Sequence, residues 1–118
     1  LRDSRDTVRL AFLIASYAKY LIFKRTESGE AIDVSEPHIT EKDKALVEAC
    51  AEIAGASMKP VLADSVGAQT STALPEDAAL RFLSLSPFKE LNLQDNAAFT
   101  SSYLHFCSIS VAEGLQVL

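Results

Sequence analysis

The stretch Thr7–Phe23, TVRLAFLIASYAKYLIF, decides the class of fold. At helical spacing Val8, Ala11, Phe12, Ala15 and Ile22 fall on one side, and Leu10, Ile14, Tyr17, Ala18 and Leu21 on an adjoining side. The polar remainder is a narrow strip through Arg9, Ser16 and Lys19. A helix apolar over most of its circumference belongs in the middle of a bundle, and the small Ala11, Ala15 and Ala18 let neighbouring helices approach. Asp6 or Thr7 is placed to cap its first amides. Membrane insertion needs ~20 consecutive apolar residues, and the run from Leu10 is interrupted by Ser16 and Lys19. Arg2, Arg5 and Arg9 precede it as in a signal peptide, but Phe23-Lys24-Arg25 follows in place of a small-residue cleavage site.

Outward from this helix the chain reads as further helices joined by loops. Lys24 to Ile39 is a connection with a turn at Ser28-Gly29, a weakly alternating extended strip at 31–34, and Pro37, which disfavours helix at Glu36. A second helix starts at Thr40, with Asp43 completing a capping box, shows its apolar stripe through Leu46, Cys50, Ile53 and Ala54, and stops at Gly55. After Pro60 a short turn is expected, then a small, polar loop from Gly67 to Thr72. Pro75 opens a short helix packing through Ala79, Leu80, Phe82 and Leu83; Ser86-Pro87 ends it and Phe88–Leu91 adds one turn. A last helix is expected from about Asn96 to Glu113, capped by Asp95 and terminated by Gly114, with Leu115, Val117 and Leu118 folding back on it. The expectation is an all-α, bundle-like fold with at most one short extended segment near 31–34, residues 1–118 forming a single helical unit.

Composition narrows the function classes. The formal net charge is -5, and the basic residues form no cluster longer than Lys24-Arg25, so no nucleic-acid footprint is present. Cys50 and Cys107 lie in apolar segments far from any His or second Cys and read as buried thiols. Sequence alone leaves a bridge between them open, but the spacing is unlike a secreted disulfide scaffold, which points to a reducing, cytoplasmic compartment.

The motifs that carry chemistry are missing. Gly29, Gly55, Gly67 and Gly114 are isolated, so no backbone loop is available to cradle a pyrophosphate. His38 and His105 lie at no metal-ligand spacing; Glu36-Pro37-His38 reads as a polar turn and His105 as a packed or surface histidine. Ser101-Ser102, Ser108 and Ser110 have no nucleophile elbow and read as helical serines bonding the preceding turn. Glu76-Asp77 suits a first helical turn. Lys42 and Lys44 among Glu41, Asp43 and Glu48 read as a solvated face, Tyr17 and Tyr20 as core edge, and Lys19 and Lys24 as surface lysines of the first helix. No catalytic, cofactor-binding or metal-binding residue is expected in this chain.

Three stretches together carry a resemblance. VRLAFLIASYAKYL (Val8–Leu21) is followed, after the turn at Gly29, by AIDVSEPHIT (Ala31–Thr40); SPFKELNLQDNAAFTSSYLHF (Ser86–Phe106) leads to the closing EGLQVL. The pattern resembles the C-terminal end of the polyol-specific long-chain dehydrogenases, the mannitol dehydrogenase family. In that family an RLAF-type helix is followed by a glycine turn, an extended strip and an acidic residue before proline, and the chain ends in a Phe- and Tyr-rich helix with a late glycine. The resemblance spans most of the chain and is poorest over 56–72. Tyr17 stands where the family commonly has Trp, and the turn after Phe23 lacks its usual Gly-x-Asp-Glu character.

The resemblance implies a parent enzyme with an N-terminal dinucleotide-binding domain for NAD or NADP and a helical C-terminal domain completing the cleft. The reaction implied is oxidation of a mannitol-like polyol to a ketose; hexuronate (fructuronate or tagaturonate) reduction belongs to the same superfamily. The family's lysine base, asparagines and histidine lie upstream of the matched stretch, so none is carried onto this chain. NAD or NADP and the polyol or sugar acid would bind the parent enzyme, with no nucleic-acid or membrane partner. Opening on Leu1-Arg2-Asp3, just before a strong helix, fits an internal cut, and a processed terminus or an expression fragment equally. The alternative is a free-standing helical interaction module. A cut fragment is expected to expose an apolar patch on the first helix; a free-standing module is expected to bury it.

Overall fold

A computed structural model describes residues 4–27, 41, 45, 48, 73–85 and 88–117. Among them the structure is all-α, with no strand. The helices are α1 (Ser4–Glu27), α2 (Glu76–Leu83), α3 (Ala97–Ser108) and α4 (Val111–Val117), with two short 3₁₀ turns, Phe88–Leu91 and Leu93–Asp95, between α2 and α3. The strip expected at 31–34, Gly29, His38, Cys50, Lys42, Lys44, the short turn expected after Pro60 and the loop expected from Gly67 to Thr72 lie outside the described residues. Glu41, Ala45 and Glu48 are helical and exposed. Their spacing puts them on one face of the expected second helix, the solvated one.

α1 is longer at both ends than the expected Thr7–Phe23. Nothing between Phe23 and Glu27 breaks a helix, and Asp6 in the first turn suits the positive end of the dipole. Its centre is the core of the molecule: every residue from Leu10 to Lys19 is buried. The expected polar strip is therefore only partly a surface, because Ser16 and Lys19 are inside with the apolar residues. No helix among the described residues is long and apolar enough to cross a membrane.

The main interface is α1 against α3. Phe99, Tyr103, Phe106 and Cys107 form the buried edge of α3. This is the apolar edge read from the sequence, and the Phe12 and Phe106 rings meet edge to face at 5.1 Å. α2 adds Ala79, Phe82 and Leu83 to the same core. Phe88, from the first 3₁₀ turn, stacks obliquely on Phe82 at 4.7 Å and lies 6.5 Å from Tyr17. Asn92 joins the two 3₁₀ turns in the left-handed conformation, φ 54° and ψ 35°, which asparagine tolerates better than most residues.

The end of the chain departs from expectation. The single helix from Asn96 to Glu113 is two helices, broken at Ile109, whose backbone is extended. Ser110 then caps α4, its Oγ accepting from the Glu113 amide at 3.1 Å. Ser110-x-x-Glu113 is the capping-box pattern, and it marks a helix start where only a continuation was expected. Gly114 consequently lies inside α4 and terminates nothing. At the start of α3 the cap is Asn96, whose Oδ1 accepts from the Phe99 amide at 3.0 Å; Asp95 belongs to the preceding 3₁₀ turn. Leu115 and Val117 do not fold back, being 45% and 59% exposed.

Candidate functional site

An α-helix ends with four carbonyls that have no partner within the helix. In α3 three of them are met, one by a side chain of the helix itself and two by groups from elsewhere. The His105 carbonyl accepts from Ser108 Oγ at 2.7 Å. The Phe106 carbonyl accepts from Lys19 Nζ at 2.8 Å. The Cys107 carbonyl accepts from the Leu74 amide at 2.8 Å. Lys19 Nζ also donates to the Ile109 carbonyl, so one ammonium group spans the break between α3 and α4. A positive charge at this end also complements the helix dipole.

Lys19 is 4% exposed, which overturns its reading as a surface lysine. The sequence signal was ambiguous, because a lysine among alternating apolar residues can either snorkel outward or bury its whole stem. What decides is the supply of acceptors at the end of α3, which lies 87 residues away in the chain. Burial lowers the Lys19 pKa, while Cys107 and Glu113 act against the shift.

Cys107 sits beside it, and Tyr103 beside Cys107. The Tyr103 hydroxyl donates to the Ala79 carbonyl at 2.9 Å, tying α3 to α2. Burial raises the Tyr103 pKa well above 10.0, and the neighbouring Cys107 adds to the rise. The Cys107 thiol is pushed up to about 11 by burial, with Tyr103 and Lys19 opposing. Cys107 is a free, buried cysteine, as expected of a thiol acting as a small hydrophobe.

Burial thus acts in opposite directions within the cluster, lowering Lys19 and raising Tyr103 and Cys107. A general base must be unprotonated and face the substrate, whereas Lys19 is turned onto two backbone carbonyls. A nucleophilic cysteine needs a lowered pKa, and that of Cys107 is raised.

The other residues singled out in the sequence are not gathered here. His105 is exposed, with its ring against Phe106 at 5.5 Å. Ser108 bonds back to the preceding turn, while Ser101 is exposed and Ser102 half-buried. Glu76 and Asp77 are exposed in the first turn of α2. Tyr17 is buried and Tyr20 half-buried, both on α1. Among the described residues no group of three His, Cys, Asp or Glu side chains is placed to hold a metal ion. An open recess of about 160 Å³ is lined by Leu83, Phe88, Lys89, Asn92, Leu93 and Asp95 among others. It is smaller than the ~300–1,000 Å³ usual for ligand sites.

Gly114 is a second feature that the sequence showed without its purpose. A Cβ at this position would lie 2.2 Å from Phe12 Cε1 and 2.7 Å from Phe12 Cδ1. The late glycine is where α4 meets the Phe12 ring with no room for a side chain. In the comparisons with known proteins, no family model, no curated protein and no solved structure matches this chain.

Proposed function

We propose that this chain is the C-terminal helical part of an NAD(P)-dependent polyol dehydrogenase resembling the mannitol dehydrogenase family. Its role there is architectural: it buttresses the substrate domain, and the parent's N-terminal domain supplies the nicotinamide and the catalytic lysine. One observation carries the reading. The stretches that bear the resemblance and fall among the described residues pack on one another. The RLAF helix lies along the Phe- and Tyr-rich helix, and the late glycine sits on Phe12. The cytoplasmic setting and the polyol substrate belong to the same proposal.

The test is to express the chain with the segment encoded upstream of Leu1. Mannitol, related polyols, fructuronate and tagaturonate are then assayed with NAD(H) and NADP(H). The expected result is turnover of one substrate class by the longer protein and none by residues 1–118 alone. Lack of turnover on every substrate, with no Lys-x4-Asn-x2-His-type motif upstream, refutes it.

A second reading, a self-contained helical interaction module, is favoured by the burial of α1. Leu10 to Lys19 is covered within the chain's own fold, and the large exposed hydrophobics among the described residues, Leu115 and Val117, are on α4. A start codon within a few residues of Leu1, with no enzyme encoded upstream, decides for the module.

A further inference from the structure

The two ends of the Ile109 break are held very differently. α3 buries Phe99, Tyr103, Phe106 and Cys107, has an asparagine cap, and has three of its last four carbonyls paired. α4 has seven residues and buries only Val111 and Gly114. An isolated helix is marginal below ~12–15 residues, and a glycine in its middle weakens it further. α4 is therefore helical only while docked. Its docking consists of Gly114 against the Phe12 and Phe106 rings, the buried Val111, and the Lys19 bond to the Ile109 carbonyl at the joint.

We propose that α4 is a latch that swings off α1 as one unit about Ile109–Ser110 while α3 stays docked, and that Lys19 sets how often it opens. Segments with few buried contacts open below the free energy of global unfolding, as cooperative units. Ile109 has the extended backbone a joint requires, φ -117° and ψ 169°. Opening lifts the Gly114 backbone from Phe12 and Phe106 and uncovers the edge of that ring pair. Lys19 reaches across the joint from α1 to the carbonyls on either side of it, Phe106 in α3 and Ile109 before α4. The latch is a property of this chain whichever reaction it serves.

Native-state amide exchange of the whole chain, read residue by residue by NMR, tests the proposal. The amides of Gly114 to Val117 are expected to share one opening equilibrium, on the order of 100-fold more frequent than that of Tyr103 to Cys107. Low urea is expected to promote that opening equally at all four, since a unit that undocks exposes surface. Lys19→Met is expected to raise the opening of α4 by about tenfold, the loss of a charge-assisted bond, while the Phe99 to Tyr103 amides change less; Lys19→Arg is expected to recover part of the loss. Exchange that quickens residue by residue toward the chain end and ignores both urea and Lys19→Met is simple fraying and overturns the latch. Exchange of α4 at the α3 rate overturns it too. Should Lys19→Met unfold the protein, the urea series on the unaltered chain decides.

Discussion

Gly114→Ala pits two effects of opposite sign against each other. Gly114 lies inside a helix, where alanine is intrinsically better by about 1 kcal/mol. On local grounds alone the substitution stabilises. The tertiary contact reverses this. The new methyl would lie 2.2 Å from Phe12 Cε1 and 3.4 Å from Phe106 Cδ1, against a comfortable carbon–carbon separation of ~3.5–4.0 Å. Phe12 is 1% exposed and set edge-on to Phe106, so its ring has no open space to move into. Either the ring and α4 are forced apart, or α4 undocks. Overpacking costs about 1–3 kcal/mol, and an approach this close belongs at the upper end, so the net loss is about 1–2 kcal/mol after the propensity gain.

Urea unfolding followed by far-UV circular dichroism measures it. Ala112→Gly, at an exposed position of the same helix, supplies the local effect alone: a loss of about 1 kcal/mol. Phe12→Leu combined with Gly114→Ala completes a double-mutant cycle, expected to return a coupling of about 1 kcal/mol or more in favour of the pair. A Gly114→Ala protein as stable as the parent, or a coupling near zero, refutes the docking of α4 on Phe12.

Other outcomes follow from single contacts. Tyr103→Phe removes the buried phenol's bond to the Ala79 carbonyl and is expected to cost about 1 kcal/mol in the same urea assay. Asn96→Ala is expected to cost about 1 kcal/mol, and Asp95→Ala only a few tenths, because the cap is the asparagine. Because Cys107 ionises near 11 in the folded chain against an ordinary 9.0, its contribution is complete below pH 9 and is lost as the pH rises to 11. Two pH units correspond to about 2–3 kcal/mol, so Cys107→Ala is expected to flatten the alkaline fall in stability. Lys19 acts with the opposite sign: its pKa is lowered on folding, so its burial penalty is relieved as the pH rises from that lowered value toward 10.5. Peptide-mapped alkylation at pH 8 is expected to leave Cys107 unmodified until the chain unfolds, since both burial and the raised pKa suppress the thiolate.

The helical class and most of the core were readable from periodicity. Phe12, Ile14, Tyr17, Phe82, Phe99, Tyr103 and Phe106 all recur at helical spacing and are all buried. Periodicity suffices there because a continuous apolar stripe along a helix packs against its neighbours. The break after α3 was legible in part: Ser110 and Glu113 form a local capping signal, outweighed by the apolar run on either side. Exposure of Leu115 and Val117 was not legible, since apolar residues near a chain end fold back only where a surface awaits them.

Lys19 and Gly114 mark the limit of the local reading. By itself the sequence determined an apolar first helix and an aromatic helix starting near Asn96, because these depend on local spacing and propensity. That Lys19 is a buried cap, and that the glycine is needed where α4 crosses Phe12, was decided only in the tertiary structure. The acceptors for Lys19 and the ring against Gly114 come from the opposite end of the chain. A hydrogen bond and a steric limit are properties of two surfaces together, and only the folded chain brings those surfaces into contact.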